Sequence, residues 1–286
     1  MPKTKIYFPG ACEMGSPQIT QLYRKLLSSE NKTIEIVDDV NDCDYIVMQD
    51  QTNEELPLDK KVIFFQKEPD HVMHYKYEKE NLHKSFYHSK GEAWMIQTPW
   101  ISYSHDELVA MKPPTKQYRL SVVDSGKVTL LGHHHRLQAI QDIVNHVPDI
   151  HLYGHITKGT ENIGPFKKPL PVRTKEEAFL KYRYAVAIEN GQTPHYFSEK
   201  IIDPILCWTT PIYWGCSNIS KYFPKGSFVE IKDLNAGVGS QVASIIESQH
   251  HEENMDALAE ARDLILNKYN LIPTIEKALV SDNLWE

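Results

Sequence analysis

The sequence predicts an α/β protein of two domains, each a parallel sheet with helices on both faces, facing each other across a cleft. Three observations carry this expectation. The chain has 286 residues, which fits about two domains of roughly 150 residues each. Short apolar runs alternate with helical stretches in two successive series, the order that a parallel sheet with crossover helices requires. Between the series stands Met111-Lys112-Pro113-Pro114-Thr115-Lys116, where paired prolines stop helices and favour extended chain. The expected domains are therefore residues 1–112 and 117–286.

In the first series, residues 5–8 read as a strand broken by Pro9-Gly10. Residues 16–29 read as a helix with Ile19, Leu22, Leu26 and Leu27 on one face. Strands are expected at 33–37, 45–48 and 61–65, and residues 70–110 show only weak periodicity. In the second series, strands are expected at 120–123, 150–153, 184–188 and 211–214. Helices are expected at 136–147, closing at 178–182, at 198–206 and at 252–269. The last is amphipathic, with Leu258, Ala261, Leu264 and Ile265 on one side. Ligands of open parallel sheets bind at the carboxyl ends of the strands, so the cleft is the expected site.

Composition narrows the function classes. With 41% hydrophobic and 24% charged residues the chain has real cores and an ordinary polar surface. A net charge of -7 with no basic stripe argues against a nucleic-acid partner. No run approaches the ~18 apolar residues of a membrane span, and the N-terminus lacks the pattern of a signal peptide. Cys12, Cys43, Cys207 and Cys216 form no C-x-x-C pair, so free buried thiols and a reducing cytoplasm are expected.

The chemistry concentrates in the second series. The apolar run Tyr184-Ala185-Val186-Ala187-Ile188 leads into Glu189-Asn190, a loop from Gly191 to Tyr196, and then Ser198-Glu199-Lys200. Ser198 is a good N-cap. A strand, a loop and a helix start make an anion site, because the first-turn amides are unpaired and the helix dipole favours negative charge. Lys200 adds a full positive charge. Glu199, by itself, is either a first-turn acid that complements the dipole or a carboxylate that accepts sugar hydroxyls.

Taken together, the ordered string resembles the C-terminal signature of the α-1,3/4-fucosyltransferases, glycosyltransferase family 10. It consists of Ala187-Ile188-Glu189-Asn190, Tyr196-Phe197-Ser198-Glu199-Lys200-Ile201-Ile202-Asp203, Thr210-Pro211-Ile212-Tyr213-Trp214-Gly215 and Pro224-Lys225-Gly226-Ser227-Phe228. The resemblance implies two Rossmann-like domains facing a cleft, the GT-B glycosyltransferase architecture. It also implies that Asn190, Tyr196, Glu199 and Lys200 line a GDP-fucose site. Lys200 would meet the diphosphate, Glu199 the ribose hydroxyls, and Asn190 and Tyr196 the fucose and phosphate side. Upstream, Ser121-Val122-Val123-Asp124-Ser125-Gly126-Lys127 and then Arg136 look like the family's first nucleotide-domain strand and its phosphate-binding arginine. This places Ser125 and Lys127 among the donor-binding candidates. The planar guanidinium of Arg136 suits two phosphate oxygens at once; the alternative is a solvated helix residue.

In the same way Val62-Ile63-Phe64-Phe65-Gln66-Lys67-Glu68-Pro69 resembles the strand that precedes the family's catalytic base. Glu68 would then take the proton of an acceptor hydroxyl; otherwise it is a loop glutamate. The implied reaction is a single displacement with inversion, moving fucose to an oligosaccharide or other glycan acceptor, with an α-1,3 linkage implied by analogy. No cofactor and no metal are expected, the acidic pairs at Asp38-Asp39 and Asp42–Asp44 being read as turn residues. Within Gly132-His133-His134-His135-Arg136, consecutive histidines point in different directions and cannot share one ion. The family's membrane anchor, stem and disulfide pairs have no counterpart, which fits a viral or bacterial-type soluble enzyme. Gly191 stands where the family usually has Ser, and Pro204 is expected to kink or shorten its helix. The alternatives are the same fold with another GDP-sugar, or a nucleotide-sugar-binding protein without catalysis.

Overall fold

The computed structural model describes residues 2–10, 15–49, 51–67, 77–87, 101–154, 170, 173–235 and 237–281. The first domain contains β1 (Thr4–Tyr7), α1 (Ser16–Arg24), β2 (Ile34–Ile36), β3 (Tyr45–Gln49), β4 (Lys61–Phe65), β5 (Leu82–Phe86) and α2 (His105–Ala110). The second contains β6 (Tyr118–Asp124), α3 (Leu131–His146), β7 (His151–Gly154), β8 (Tyr182–Ile188), α4 (Glu199–Leu206), β9 (Thr210–Trp214) and β10 (Val229–Glu230). It is followed by α5 (Val238–Glu247), α6 (His250–Glu253), α7 (Met255–Asn267) and α8 (Leu271–Val280).

Both sheets are wholly parallel, with strand orders β2-β1-β3-β4-β5 and β7-β6-β8-β9-β10. Each is the 2-1-3-4-5 order of a doubly wound sheet, whose chain reverses direction between the first and third strands. A crevice opens there at the carboxyl ends. Alternate residues of one strand enter opposite cores, as a sheet covered on both faces demands. On β4, Ile63 and Phe65 join one core while Val62 and Phe64 join the other.

Two helices cross over between the domains. Leu108 of α2 is 1% exposed within the core of the second domain, and Arg262 Nη2 donates to its carbonyl at 2.9 Å. Conversely Leu271, Ile272, Ile275 and Ala278 of α8 pack into the core of the first domain. The linear division at residues 112 and 117 therefore differs from the packing at both ends. An apolar helix face follows whichever sheet it can cover, and distance along the chain does not decide that.

Other elements differ from the sequence expectations for local reasons. The first helix stops at Arg24, because the Lys25 carbonyl accepts the His105 amide at 2.7 Å instead of continuing a helical ladder. Residues 178–182 do not close an α-helix. A 3-10 turn at Lys175–Ala178 precedes Tyr182, which is 1% exposed and opens β8 in register with Tyr118. The expected helix at 252–269 is broken at Asn254, whose Nδ2 donates to the His250 carbonyl at 2.7 Å. Pro204 lies inside α4, which ends two residues later at Leu206. The strands β5 and β10 and the helices α2, α5 and α8 were not expected. The acidic residues at 38–44 act as turn and pairing groups: Asp39 caps the turn at Asn41, Asp38 pairs with Arg24 at 2.9 Å, and Asp44 accepts the Lys5 amide at 2.8 Å.

Cys43, Cys207 and Cys216 are buried and free; Cys12 lies outside the described residues. Burial pushes the thiols of Cys43 and Cys216 up to about 11. Among the described residues, no helix is long and apolar enough to cross a membrane.

Candidate functional site

The reversal point of the second sheet lies between β6 and β8, and their last residues assemble the site. At the end of β8, Glu189 is fully buried and ties two elements together. It accepts the Ser198 amide at 2.8 Å and the Ser198 hydroxyl at 2.7 Å. This clamps the start of α4 to the strand end, while the Ser198 hydroxyl caps the Lys200 amide at 3.3 Å. A Cβ on Gly215 would collide with the Glu189 side chain and the Tyr213 hydroxyl. Only glycine lets the end of β9 lie so close.

Asn190 performs the same service for α3. A Cβ on Gly132, in the first turn of α3, would collide with the Asn190 carbonyl oxygen. The Asn190 side-chain oxygen accepts from Arg136 Nη1. The adjacent residues Glu189 and Asn190 thus bring two helix N-termini to one place, and their positive dipole ends add there. Arg136 is 5% exposed and forms an ion pair with Asp124, the last residue of β6. Those contacts hold the guanidinium plane in a single orientation.

Lys200 Nζ lies 3.5 Å from Glu189 and 3.3 Å from Glu199. Glu199 also faces Lys175 at 3.9 Å, and Lys175 pairs with the buried Asp203 at 2.7 Å. Burial alone would raise the Glu199 carboxyl, but Lys200 and Lys175 outweigh it and hold it at about 2. Glu189 goes the other way: burial raises it against the pull of Lys200. Glu199 is therefore a permanent anion and a ready acceptor of hydroxyls.

The remaining candidates are distributed as follows. Ser125 is half-buried and Lys127 exposed in the loop after β6, where Gly126 has φ 68° and its amide donates to Asp124 at 2.6 Å. Tyr196 is 3% exposed, so its ring lies within the wall of the site. The loop before it is pinned through His195, whose amide donates to Asn218 at 2.8 Å and whose ring meets Tyr222. Glu68 lies outside the described residues. The histidine run splits as the helical spacing requires, with His133 buried and His134 and His135 exposed. Among the described residues, no group of three or more His, Cys, Asp or Glu side chains is placed to hold a metal ion.

Sequence reasoning assigned no role to Asp124, Glu189, Lys175, Asp203 or Asn218. Asp124 and Glu189 carried a usable sign, since each is an acid directly ending an apolar strand. Lys175 and Asp203 carried none, because their pairing spans 28 residues.

Comparison with known proteins bears on this domain first. Residues 121–252 match the model of glycosyltransferase family 10 (fucosyltransferase), C-terminal part. Most of the second domain thus carries the signature of that family. Over 63 residues the chain is 40% identical to the alpha-(1,3)-fucosyltransferase FucT of Helicobacter pylori, a stretch covering 22% of this chain and 13% of that protein. Over 76 residues it is 32% identical to the 4-galactosyl-N-acetylglucosaminide 3-alpha-L-fucosyltransferase of Homo sapiens, covering 26% of this chain and 21% of that one. The matched stretches thus span only about an eighth to a fifth of these curated relatives.

Two solved structures extend the likeness to the whole frame. A crystal structure of an alpha1,3-fucosyltransferase with GDP superposes with a TM-score of 0.50 at 20% identity, covering 91% of this chain and 82% of that one. A DNA-modifying beta-glucosyltransferase gives a TM-score of 0.53 at 12% identity, covering 93% and 96%. These likenesses show the fold alone: two parallel-sheet α/β domains in the GT-B arrangement.

Proposed function

We propose that the chain moves fucose from GDP-fucose to a hydroxyl of an oligosaccharide or other glycan acceptor, with inversion at the sugar carbon and α-1,3 linkage. The observation that carries this is the cluster at the β6–β8 reversal point. Arg136, Lys200 and two helix N-termini converge there beside the low-pKa carboxylate of Glu199. Cations and helix starts suit a diphosphate, and a permanent carboxylate suits ribose hydroxyls. The family match of this domain supports a GDP-linked sugar as the ligand.

In this mechanism Glu68 takes the proton from the acceptor hydroxyl as its oxygen attacks the anomeric carbon. The bond from that carbon to the diphosphate oxygen breaks, and Arg136 and Lys200 stabilise the charge that grows on the leaving diphosphate. Preorganised cations at that point supply the electrostatic role that a divalent metal has in other transferases. Gly191, which lacks the usual hydroxyl, supports a second reading with another GDP-sugar as donor.

A thermal-shift screen of GDP- and UDP-sugars, followed by an acceptor array, tests the proposal. GDP should raise the melting temperature, GDP-fucose should be turned over, and EDTA should leave turnover intact. A melting curve indifferent to GDP would sink the nucleotide assignment. Replacing Glu68 by Gln should leave GDP binding intact and slow transfer at least ~100-fold.

A further inference from the structure

The histidine run at the start of α3 turns one ring into the protein at the edge of the charged cluster. His133 is only 5% exposed. Its Nδ1 lies 3.2 Å from the Leu130 amide nitrogen and 3.3 Å from Thr129 Oγ1. A backbone amide can only donate, so Nδ1 presents a lone pair, and the ring is neutral with its one proton on Nε2. That Nε2–H makes no hydrogen bond to any described residue. It is not sealed in either, since it is absent from the buried unpaired side-chain atoms of the described residues. A buried ring with one satisfied nitrogen and one open donor calls for an outside acceptor.

The charged groups that face the ring state what acceptor fits. Arg136 comes from the same helix, Lys127 from the loop after β6, Lys200 from α4, and Asp124 from the end of β6. Burial, and then Arg136, hold the imidazole down at about 4, with Asp124 opposing them. Arg136, Lys127 and Lys200 act on the ring against Asp124, and although Glu189 and Glu199 pair with Lys200, the charges acting most strongly on the open N–H are mainly cations. An anion with several oxygens completes such a corner.

We infer that His133 is a neutral ligand of the donor's diphosphate, with Nε2–H donating to an oxygen of the group that leaves. The inference rests on the donor-site reading above and adds a residue and a protonation state to it. A fourth cation would repel the other three in the empty protein, whereas an uncharged N–H adds a directed bond without that cost. The bond strengthens as charge grows on the departing oxygen. No proton is transferred: the diphosphate leaves as an anion, and the ring keeps its Nε2–H.

The test uses His133→Asn, whose side-chain oxygen can still accept from the Leu130 amide but which has no donor at the Nε2 position. Titration calorimetry should show GDP affinity falling about tenfold, the size of one hydrogen bond to a charged group, with guanosine affinity unchanged. His133→Gln, which returns an N–H near that position, should recover part of the loss. In the wild type, 15N-histidine NMR should report the Nε2–H tautomer between pH 5.5 and 8, and GDP should move that proton's resonance downfield. Should the asparagine variant fail to fold, this resonance decides the matter. An unmoved resonance, wild-type GDP affinity in His133→Asn, or equal losses for GDP and guanosine would each overturn the inference. A wild type that ignores GDP altogether removes the donor-site reading instead. A wild type that binds GDP through Lys200 but is indifferent to His133→Asn removes only His133.

Discussion

The two sheets share one strand order, yet the points where their chains reverse are chemically unlike. At the first, between β1 and β3, the strand ends carry hydroxyls and amides. Tyr23 donates to Gln49 at 2.5 Å, the Ser16 hydroxyl donates to the Phe8 carbonyl at 2.7 Å, and Gln66 is 2% exposed at the end of β4. Among the described residues, the carboxylate of Glu54 accepts from Tyr7 at 2.8 Å and from the Gly10 amide at 2.7 Å. At the second, between β6 and β8, Asp124 pairs with Arg136, while Glu189, Lys200, Glu199, Lys175 and Asp203 form a connected chain of charges. Topology supplies a crevice in both domains; the residues at the strand ends decide its ligand. A charge-dense crevice suits a diphosphate, and one whose described groups are mainly hydroxyls and amides suits sugar hydroxyls.

The contrast can be broken most sharply at Lys200. Lys200→Ala should lower GDP affinity by about 100-fold or more, since it removes a charged donor and exposes two carboxylates to the ligand. Glu54→Gln should leave GDP affinity unchanged and raise the acceptor KM about threefold to tenfold, as one hydrogen bond to a charged group weakens. Calorimetry and initial rates on the two variants check both. GDP affinities that fell equally would mean that the crevices are not divided between donor and acceptor.

The anchors should differ in the same sense. Glu189→Ala leaves the Ser198 amide without its buried acceptor and removes one of the two carboxylates beside Lys200, and should cost about 3–5 kcal/mol in urea unfolding. Tyr7→Phe removes one half-buried hydroxyl bond and should cost about 1 kcal/mol. Gly132→Ala forces α3 away from the Asn190 carbonyl and should cost about 1–3 kcal/mol, together with a loss of GDP response that Tyr7→Phe does not show.

The smallest effect is a pH dependence that belongs to the second domain. His133 and His251 are held at about 4, mainly by burial, against an ordinary 6.5. The unfolded chain therefore takes up protons near 6.5 that the fold refuses until about 4, so stability present above 6.5 is lost as pH falls between those values. Glu199, held at about 2 against 4.5, extends the loss as pH falls below 4.5. Melting temperature against pH should decline first from 6.5, and His251→Asn should flatten that first decline. A curve flat down to pH 4.5 would show that these rings are solvated.

Much of the site was legible because it is local. Ser198, Glu199 and Lys200 sit together at a helix start, and a Ser N-cap after an apolar strand has a direct physical signature. The capping box of α2, Ser104 with Glu107, carried the same kind of signature but stood in a stretch of weak periodicity. The strand β5, Leu-His-Lys-Ser-Phe, was hidden because only Phe86 of its five residues is buried. Arg136 was expected to face phosphate alone, and no local pattern announces that Asp124 and Asn190 grip it from 12 and 54 residues away.

By itself the sequence determined the alternation of strands and helices, the proline linker, and the anion-binding helix start. Each follows from backbone sterics and side-chain spacing within a few residues. Only the tertiary structure decided that α2 and α8 exchange domains, that Glu189 and Asn190 draw two helix starts together, and that Glu199 is held as an anion by two lysines. Those outcomes depend on which surfaces meet across long loops. Burial and charge act through space, and a string of residues does not specify that distance.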